Sequence, residues 1–296
     1  MERIEFSKEI HLSQIIYGMW RLTDDSNLSH EHVQKKIHIC LEQGITTFDQ
    51  ADIYGDYSAE EILGKTLRKN KSLRNKMGII TKCDIVAPCG KFKNEPLKYY
   101  DTSKAHLNRS VNSSLKNMAI EHIDLLLLHR PDPLMNADET GEALDELITT
   151  GKVRSVGVSN FKPWDWSLLQ SRMSNKLLSN QIEFSLLNPQ ALNNGDLSFH
   201  YRDQTPVMAW SPLGGGDLLN KNGKLRDCLN TIAKRYKVDV ASVAIAWILN
   251  HPAKILPILG TNNLDRISKI SESVAINMDR TTWFELYTAS IGHEVP

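Results

Sequence analysis

The sequence predicts an α/β protein, a (β/α)8 TIM-type barrel in which residues 1–296 form a single domain. Three observations lead to this prediction. Eight short apolar segments alternate along the chain with longer amphipathic segments. The apolar segments lack the polar–apolar alternation of a half-exposed strand, which favours a parallel sheet covered by helices. No proline-rich or serine-rich linker divides the chain into two parts.

Each of the eight apolar segments has the length and composition of a buried strand. In chain order, the predicted strands are Ile15–Trp20, Thr46–Phe48, Met77–Thr81, Ile123–Leu128, Val153–Val158, Leu177–Gln181, Val207–Trp210 and Ile255–Leu259. Eight such repeats within 296 residues favour a sheet that closes on itself as a barrel.

The segments between the strands show helical periodicity, most clearly in Asp138–Thr150. Four apolar residues between positions 143 and 148 fall on one helical face, and Gly151 is a typical helix stop. The predicted helices are Ser29–Gln43, Ala59–Asn70, Ser103–Met118, Asp138–Thr150, Trp164–Arg172, Pro189–Arg202 and Leu225–Tyr236.

Two connections are longer than the rest, Cys83–Tyr100 after the third strand and Ser211–Lys224 after the seventh. Both leave the carboxyl ends of predicted strands, which in a barrel of this kind form the face that carries active sites. Because connections of this length are commonly functional, we expect both to border a binding site.

The composition excludes several classes of partner. The 35 basic and 35 acidic residues leave no net charge, so no electrostatic feature indicates nucleic acid or an anionic membrane. No apolar run approaches the length of a membrane-spanning helix. The four cysteines form no C-x-x-C pair, and the first residues are charged rather than apolar, so we expect a cytoplasmic protein.

Four polar residues stand at or just after the carboxyl ends of successive predicted strands: Asp49, Tyr54, Lys82 and His129. A barrel would direct all four to one opening. A nearby ammonium favours the phenolate, so we expect Lys82 to lower the pKa of Tyr54. Asp49 would hold Lys82, and His129 would orient a substrate carbonyl. Together the four predict a site that reduces carbonyl compounds.

Each of these residues also has a structural interpretation. Asp49 could cap a turn, Tyr54 could pack at a corner before Gly55, and His129 could be a hydrogen-bonded residue at the barrel rim. A lysine at a strand end could simply pair with a carboxylate. The functional interpretation therefore depends on all four occurring together.

Six further segments carry a resemblance to the aldo-keto reductase superfamily, in that family's order and over nearly the whole chain. They are residues 48–55 (FDQADIYG), 81–82 (TK), 126–129 (LLLH), 157–161 (GVSNF), 180–183 (NQIE) and 209–213 (AWSPL). Residues 18–22 (GMWRL) and 129–133 (HRPDP) further resemble the bacterial YdhF-type oxidoreductases.

The resemblance implies a catalytic tetrad of Asp49, Tyr54, Lys82 and His129, with Tyr54 as the general acid in reduction. It also implies an NADP(H) cofactor lying extended across the barrel opening. The cofactor contacts that it implies are Gly18, Met19, Trp20, Ser159, Asn160, Gln181, Trp210, Ser211, Leu213, Gly214, Gly260, Thr261 and Arg266.

Within this set, the resemblance implies a task for each group. Ser159, Asn160 and Gln181 would hold the nicotinamide carboxamide, since amide side chains both donate and accept hydrogen bonds. Trp210 would stack on the nicotinamide ring. Ser211, Leu213 and the glycines from Gly214 would approach the pyrophosphate, although the glycine run could equally be a flexible loop.

The segment after the last strand departs from the family pattern. Gly260 stands where many relatives have Lys or Arg, and Ile270 stands where an Asn often contacts adenine. Thr261 and Arg266 remain and could bind a 2′-phosphate, although Arg266 could also be a solvated helix residue. We therefore expect NADPH to be favoured over NADH, with use of both left open. No G-x-G-x-x-G follows a predicted strand, which disfavours a Rossmann site.

The substrate is the least determined element. Met19, Trp20, Tyr54 and His129 would form the floor of the pocket, and the aromatic residues Phe92, Tyr99 and Tyr100 could form a wall, or could simply pack within their loop. Such walls favour an aldehyde, ketone or quinone without choosing among them. The sequence does not determine the oligomeric state.

Two other functions are compatible with a barrel of this kind. A Schiff-base lyase or aldolase would use Lys82 as its nucleophile, but would leave Ser159, Asn160, Gln181 and Trp210 unexplained. An NADP(H)-binding redox sensor, like the potassium-channel β-subunits that resemble this family, would bind cofactor with negligible turnover.

Overall fold

A computed structural model describes residues 1–7 and 10–296. Eight parallel strands close into a barrel in which each strand pairs with its neighbours in sequence, and the last pairs with the first. The strands are β1 Ile16–Gly18, β2 Thr47–Asp49, β3 Gly78–Cys83, β4 Leu125–Leu128, β5 Val156–Ser159, β6 Leu177–Glu183, β7 Val207–Trp210 and β8 Leu256–Leu259. The predicted (β/α)8 barrel is confirmed, and each predicted strand overlaps an observed one.

The helices surround the barrel. They are α1 His30–Glu42, α2 Tyr54–Tyr57, α3 Ala59–Lys69, α4 Lys104–Met118, α5 Ala137–Thr149, α6 Pro163–Gln170, α7 Asp196–Arg202, α8 Asp217–Asn220, α9 Lys224–Tyr236, α10 Val240–Leu249, α11 Leu264–Ile267 and α12 Arg280–Ile291. Within the described residues, no helix is long and apolar enough to cross a membrane.

Side-chain caps explain why several helices begin where they do. The Ser29 and Ser103 hydroxyls each accept a hydrogen bond from the backbone N–H three residues later, at the starts of α1 and α4. Gly151, with φ of 73°, follows the end of α5 as predicted.

The predicted helix Pro189–Arg202 is wrong in its first half. A single 3-10 turn covers Gln190–Leu192, and α7 begins only at Asp196. Gly195 adopts a φ of 90°, and the Asn194 side chain accepts a hydrogen bond from the Asp196 backbone N–H at 3.0 Å. This local turn replaces the helical hydrogen bonds.

An antiparallel hairpin, Arg3–Glu5 with His11–Ser13, precedes the barrel and was not predicted. Its apolar side chains Ile4 and Leu12 belong to the same buried cluster as Ile16, Ile80 and Leu125 from the barrel strands. The hairpin therefore covers the amino-terminal end of the barrel and leaves the carboxyl-terminal end available for a site.

Candidate active site

The four polar residues at the strand ends meet at the carboxyl-terminal opening of the barrel. Asp49 ends β2, Lys82 is the penultimate residue of β3, His129 follows β4, and Tyr54 begins α2. Gly18 pairs with Asp49, and Lys82 pairs with Leu127, so the registers of adjacent strands bring these ends to one level. The barrel thus brings together side chains that are 80 positions apart in sequence.

Lys82 is the centre of this arrangement and is fully buried. Its Nζ donates to Asp49 Oδ1 at 2.8 Å and Oδ2 at 2.7 Å, to the Gln50 carbonyl at 2.9 Å, and to Tyr54 Oη at 2.9 Å. An ammonium has three N–H groups, so Asp49, Gln50 and Tyr54 use its full donor capacity. Lys82 therefore has one fixed position under the Tyr54 hydroxyl.

The structure reverses the expected direction of the Tyr54 pKa shift. Burial first, and then the charge and hydrogen bond of Asp49, raise the pKa of Tyr54 well above 10, while Arg130 opposes them. Lys82 does not outweigh these effects, since burial also lowers the pKa of Lys82 itself and Asp49 compensates its charge. Tyr54 is consequently a neutral phenol at physiological pH.

The hydrogen of the Tyr54 hydroxyl is available to a ligand. Because Tyr54 Oη accepts from Lys82, its own O–H must donate elsewhere, and Asp49 Oδ2 is a distant 3.4 Å away. A carbonyl oxygen in the opening would be a better acceptor. The hydroxyl is thus held as a proton donor facing the opening.

His129 lies beside Tyr54, with ring centroids 6.0 Å apart and planes at 79°. Burial first, and then the charges of Lys82 and Arg130, hold the pKa of His129 well below 6.5, so the imidazole is neutral. Within the described part of the chain, its buried Nδ1 has no hydrogen-bond partner. Since an unpaired acceptor is better tolerated than an unpaired N–H, we assign the proton to Nε2.

A cleft of about 1500 Å³ runs from Tyr54 and His129 to α11. It is larger than the ~300–1,000 Å³ of an ordinary small-ligand pocket, so its volume suits an unusually large ligand. Eleven of the predicted contact residues line it: Gly18, Trp20, Ser159, Asn160, Gln181, Trp210, Ser211, Leu213, Gly260, Thr261 and Arg266.

Two predicted contacts lie outside this lining. The Met19 side chain is buried in the core, where Gln50 Nε2 contacts its Sδ at 3.3 Å, so it forms neither the floor of the pocket nor a wall of the cleft. Gly214 faces Leu187, whose Cδ1 would lie 2.4 Å from an added Cβ. The next two glycines, Gly215 and Gly216, line the cleft instead.

The aromatic residues of the loop after β3 take the second of the two alternatives that the sequence left open, and pack within their own loop. Phe92 packs against Tyr57 at 5.2 Å and against His106, while Tyr99 and Tyr100 pair with Ile85–Val86 in a short hairpin. These contacts keep the three aromatic residues away from the cleft lining.

The predicted amide contacts are held by one another. Asn160 Nδ2 donates to Ser159 Oγ at 2.8 Å, and Trp210 Nε1 donates to Asn160 Oδ1 at 3.0 Å. Gln181 Nε2 donates to Asp49 Oδ1 at 2.9 Å, which joins this group to the tetrad. The indole of Trp210 therefore has a fixed orientation at the wall of the cleft.

Sequence reasoning missed Arg130, which lines the cleft next to His129. Its guanidinium lies 5.8 Å from the Trp210 ring centroid and, among the described residues, forms no salt bridge. The available signal was its position in the segment HRPDP, directly after the predicted catalytic histidine.

The far end of the cleft is also more basic than predicted. Besides Arg266, four further cations line it: Arg226, Lys234, Lys237 and Lys269. All but the half-buried Arg226 are exposed. A phosphate-bearing ligand would be attracted to this end of the cleft despite the glycine at position 260.

Comparison with known proteins agrees with this geometry. The Aldo/keto reductase family model matches residues 14–288. The chain is 56% identical to "6-dehydroglucose reductase" of Agrobacterium fabrum (strain C58), over 100% of both chains. It is 39% identical to "Oxidoreductase YdhF" of Escherichia coli (strain K12), over 96% of this chain and 95% of the relative.

A solved structure shares the fold. The aldo/keto reductase from Klebsiella pneumoniae, crystallised with NADP and acetate, superposes with a TM-score of 0.79 over 96% of this chain and 93% of that one. The two sequences are 23% identical, so this likeness concerns the barrel alone.

Proposed function

The chain belongs to the aldo/keto reductase family, and on this basis we propose that it is an NADP(H)-dependent reductase of sugar aldehydes. The observation that carries the proposal is the protonated Tyr54 hydroxyl, fixed 2.9 Å from Lys82 Nζ at the end of a long cleft. This arrangement suits proton transfer to a carbonyl oxygen.

The residues of the cleft fit an extended dinucleotide. Trp210 offers a flat face, Ser159, Asn160 and Gln181 offer amide and hydroxyl groups, and the far end carries the cations that a phosphate requires. When bound, NADPH supplies the hydride that is added to the carbonyl carbon.

The protein supplies the proton and the orientation of the substrate. His129 Nε2–H and the Tyr54 hydroxyl both donate to the carbonyl oxygen, which polarises the C=O bond. As the hydride forms the new C–H bond, Tyr54 transfers its proton to that oxygen, and the product is an alcohol. Lys82 keeps its hydrogen bond to Tyr54 Oη and stabilises the tyrosinate that results.

Two considerations support a sugar aldehyde as the substrate. The relative that is 56% identical over its full length is named for the reduction of 6-dehydroglucose, whose reactive group is an aldehyde. Trp20 is 55% exposed at the opening and can pack on a sugar ring, while the unpaired guanidinium of Arg130 can bind hydroxyl oxygens. An entirely apolar aldehyde would leave Arg130 unused.

The structure disfavours Schiff-base chemistry at Lys82. A nucleophilic lysine needs a free, deprotonated amine, but the Lys82 Nζ is enclosed and donates to three residues. Attack by Lys82 would have to break these bonds.

The proposal is tested by measuring NADPH oxidation with 6-dehydroglucose, a simple aliphatic aldehyde, a ketone and a quinone. We expect 6-dehydroglucose to give the highest kcat/KM, and the Arg130→Met variant to lose at least about tenfold with that substrate only. Tight NADPH binding without oxidation by any carbonyl would instead favour the redox sensor. A Lys82 adduct trapped by borohydride would favour the lyase.

A further inference from the structure

A lysine that the proposed reaction does not use is fully buried beneath the loop that follows β8. Lys36 lies in α1 and has no exposed surface. Lysines are almost never fully buried unless they are paired, because removal of an ammonium from water is costly. The partners of Lys36 therefore indicate what its buried ammonium does.

Lys36 Nζ contacts one charged and one neutral partner. It donates to Asp25 Oδ2, which also contacts His32, and it donates to Asn262 Oδ1 at 2.8 Å. Asp25 compensates the charge of Lys36. The bond to Asn262 reaches into the loop that lines the far end of the cleft.

Asn262 extends this connection in a second direction. Its Nδ2 donates to the Arg21 carbonyl at 2.6 Å, so the single amide joins α1, the loop after β1 and the loop after β8. The neighbouring Thr261 carbonyl accepts a hydrogen bond from the Tyr17 hydroxyl at 2.8 Å. The loop is thus fixed from beneath at two consecutive residues.

Arg21 links this loop to a loop on the other side of the cleft. Its Nη2 donates to the Gly215 carbonyl at 2.8 Å, in the loop that follows β7. A continuous path, Lys36 to Asn262 to Arg21 to Gly215, therefore links the two loops that border the far half of the cleft.

We propose that Lys36 is a positioning residue for the cofactor, acting through Asn262 to hold the loop 260–263 in the conformation that receives the adenosine phosphate. The inference rests on the proposed function in one respect, the placement of NADPH with its phosphate end at this loop. Lys36 itself lies outside the cleft lining, and its side chain bonds Asp25 and Asn262 rather than a residue of the tetrad.

The test uses binding rather than turnover. Tryptophan fluorescence, which Trp210 and Trp20 in the cleft should report, is titrated with NADPH and with reduced nicotinamide mononucleotide, which lacks the adenosine phosphate. For Asn262→Ala we expect about tenfold weaker NADPH binding and unchanged mononucleotide binding, since the Lys36–Asp25 pair and the fold remain. Equal losses for both ligands, or no loss for NADPH, would overturn the proposal.

Lys36→Met, combined with Asp25→Asn so that no buried carboxylate is left unpaired, tests the lysine itself. We expect weaker NADPH binding, and a combined loss smaller than the sum of the two when Asn262→Ala is added, because the Lys36–Asn262 bond is already lost in either variant. Additive losses would contradict the path.

Arg266→Ala is the control for cofactor placement. If this substitution and Asn262→Ala both leave NADPH binding intact, the assumed position of the cofactor is wrong and the inference falls with it. If Arg266→Ala weakens binding and Asn262→Ala does not, only the role of Lys36 is wrong. Neither result depends on whether the protein reduces a carbonyl.

Discussion

At the scale of single residues, Tyr54 is held in the protonation state that a reductase requires. Burial and the Asp49 carboxylate raise its pKa, while Lys82 occupies the oxygen lone pair on the side away from the opening. In the proposed reaction, the proton therefore stays on Tyr54 until the carbonyl oxygen becomes more basic. The tetrad retains this proton rather than releasing it early.

Replacement of Tyr54 by phenylalanine removes the proton donor without removing a cofactor contact. We expect kcat to fall by at least about 10²-fold, while the Kd for NADPH from fluorescence titration stays within about twofold. Tyr57→Phe is the matched control, because the Tyr57 hydroxyl bonds the backbone of Ile85 and Ala87 outside the tetrad. Unchanged turnover in Tyr54→Phe would exclude it as the acid.

The pH dependence of reduction follows from the two shifted pKa values. Tyr54 is protonated below its raised pKa, and His129 is neutral above its lowered pKa. We therefore expect kcat for reduction to be flat between about pH 6 and 9 and to fall only as Tyr54 ionises at higher pH. If kcat instead fell to half as the pH rose through about 7, Lys82 would have to lower the pKa of Tyr54 after all.

The sequence predicted that Asp49, Tyr54, Lys82 and His129 would meet, but not the electrostatics of the group they form. Asp49, Lys82 and His129 end successive strands, so a barrel necessarily brings them together. The direction of the Tyr54 pKa shift depends on burial and on the Asp49 carboxylate 3.4 Å from Tyr54 Oη, and neither can be deduced from spacing. Lys36 was missed because its partners Asp25 and Asn262 are brought together only by the fold.

At the scale of elements, helices α3 and α4 of the outer ring pack against each other through one unusually close contact. An added Cβ at Gly64 in α3 would lie 1.8 Å from the Asn117 carbonyl oxygen in α4. The helices can approach this closely only because position 64 has no side chain. These helices precede and follow β3, which carries Lys82.

Gly64→Ala should therefore destabilise the protein despite the better helix propensity of alanine. We expect a loss of about 1–3 kcal/mol in the free energy of unfolding, measured by denaturant titration, because the backbone of α4 must move. Lys65→Ala on the exposed face of α3 should change stability by less than about 0.5 kcal/mol. A neutral or stabilising Gly64→Ala would mean that the helices separate at little cost.

Helix α10 and the two added hairpins were not predicted, for two different physical reasons. Helix α10 is almost entirely buried from Ser242 to Ile248, so it has no polar face to reveal a helical period. The two added hairpins have only two or three residues on each side, too few to show a recognisable strand pattern. Helices with one apolar face, such as α5, were predicted to within one residue at each end.

At the scale of the whole molecule, the apolar residues that stabilise the hairpin end of the barrel lie far from the residues of the proposed active site. The amino-terminal hairpin packs its apolar residues into the lower end of the barrel, whereas the tetrad and the cleft occupy the upper end. Changes at one end should therefore have little effect on the other.

Leu12→Ala in the hairpin tests this separation. Leu12 is 1% exposed, so the substitution should cost about 2–5 kcal/mol of unfolding free energy. We expect kcat/KM for the carbonyl substrate to stay within about twofold at a temperature where the variant is folded. Leu134→Ala, at a site that is 90% exposed, serves as the control for stability. A large fall in kcat/KM for folded Leu12→Ala would show that the two ends are coupled.

The central claim, direct hydride transfer from NADPH to a carbonyl with Tyr54 as acid, is tested most directly with deuterium. NADPH labelled at the transferring C4 position is incubated with 6-dehydroglucose and the protein, and the alcohol is analysed by mass spectrometry. We expect one deuterium on the carbon that was the aldehyde, and no labelled product with Tyr54→Phe over the same time. An unlabelled alcohol, or no alcohol although NADPH binds, would contradict it.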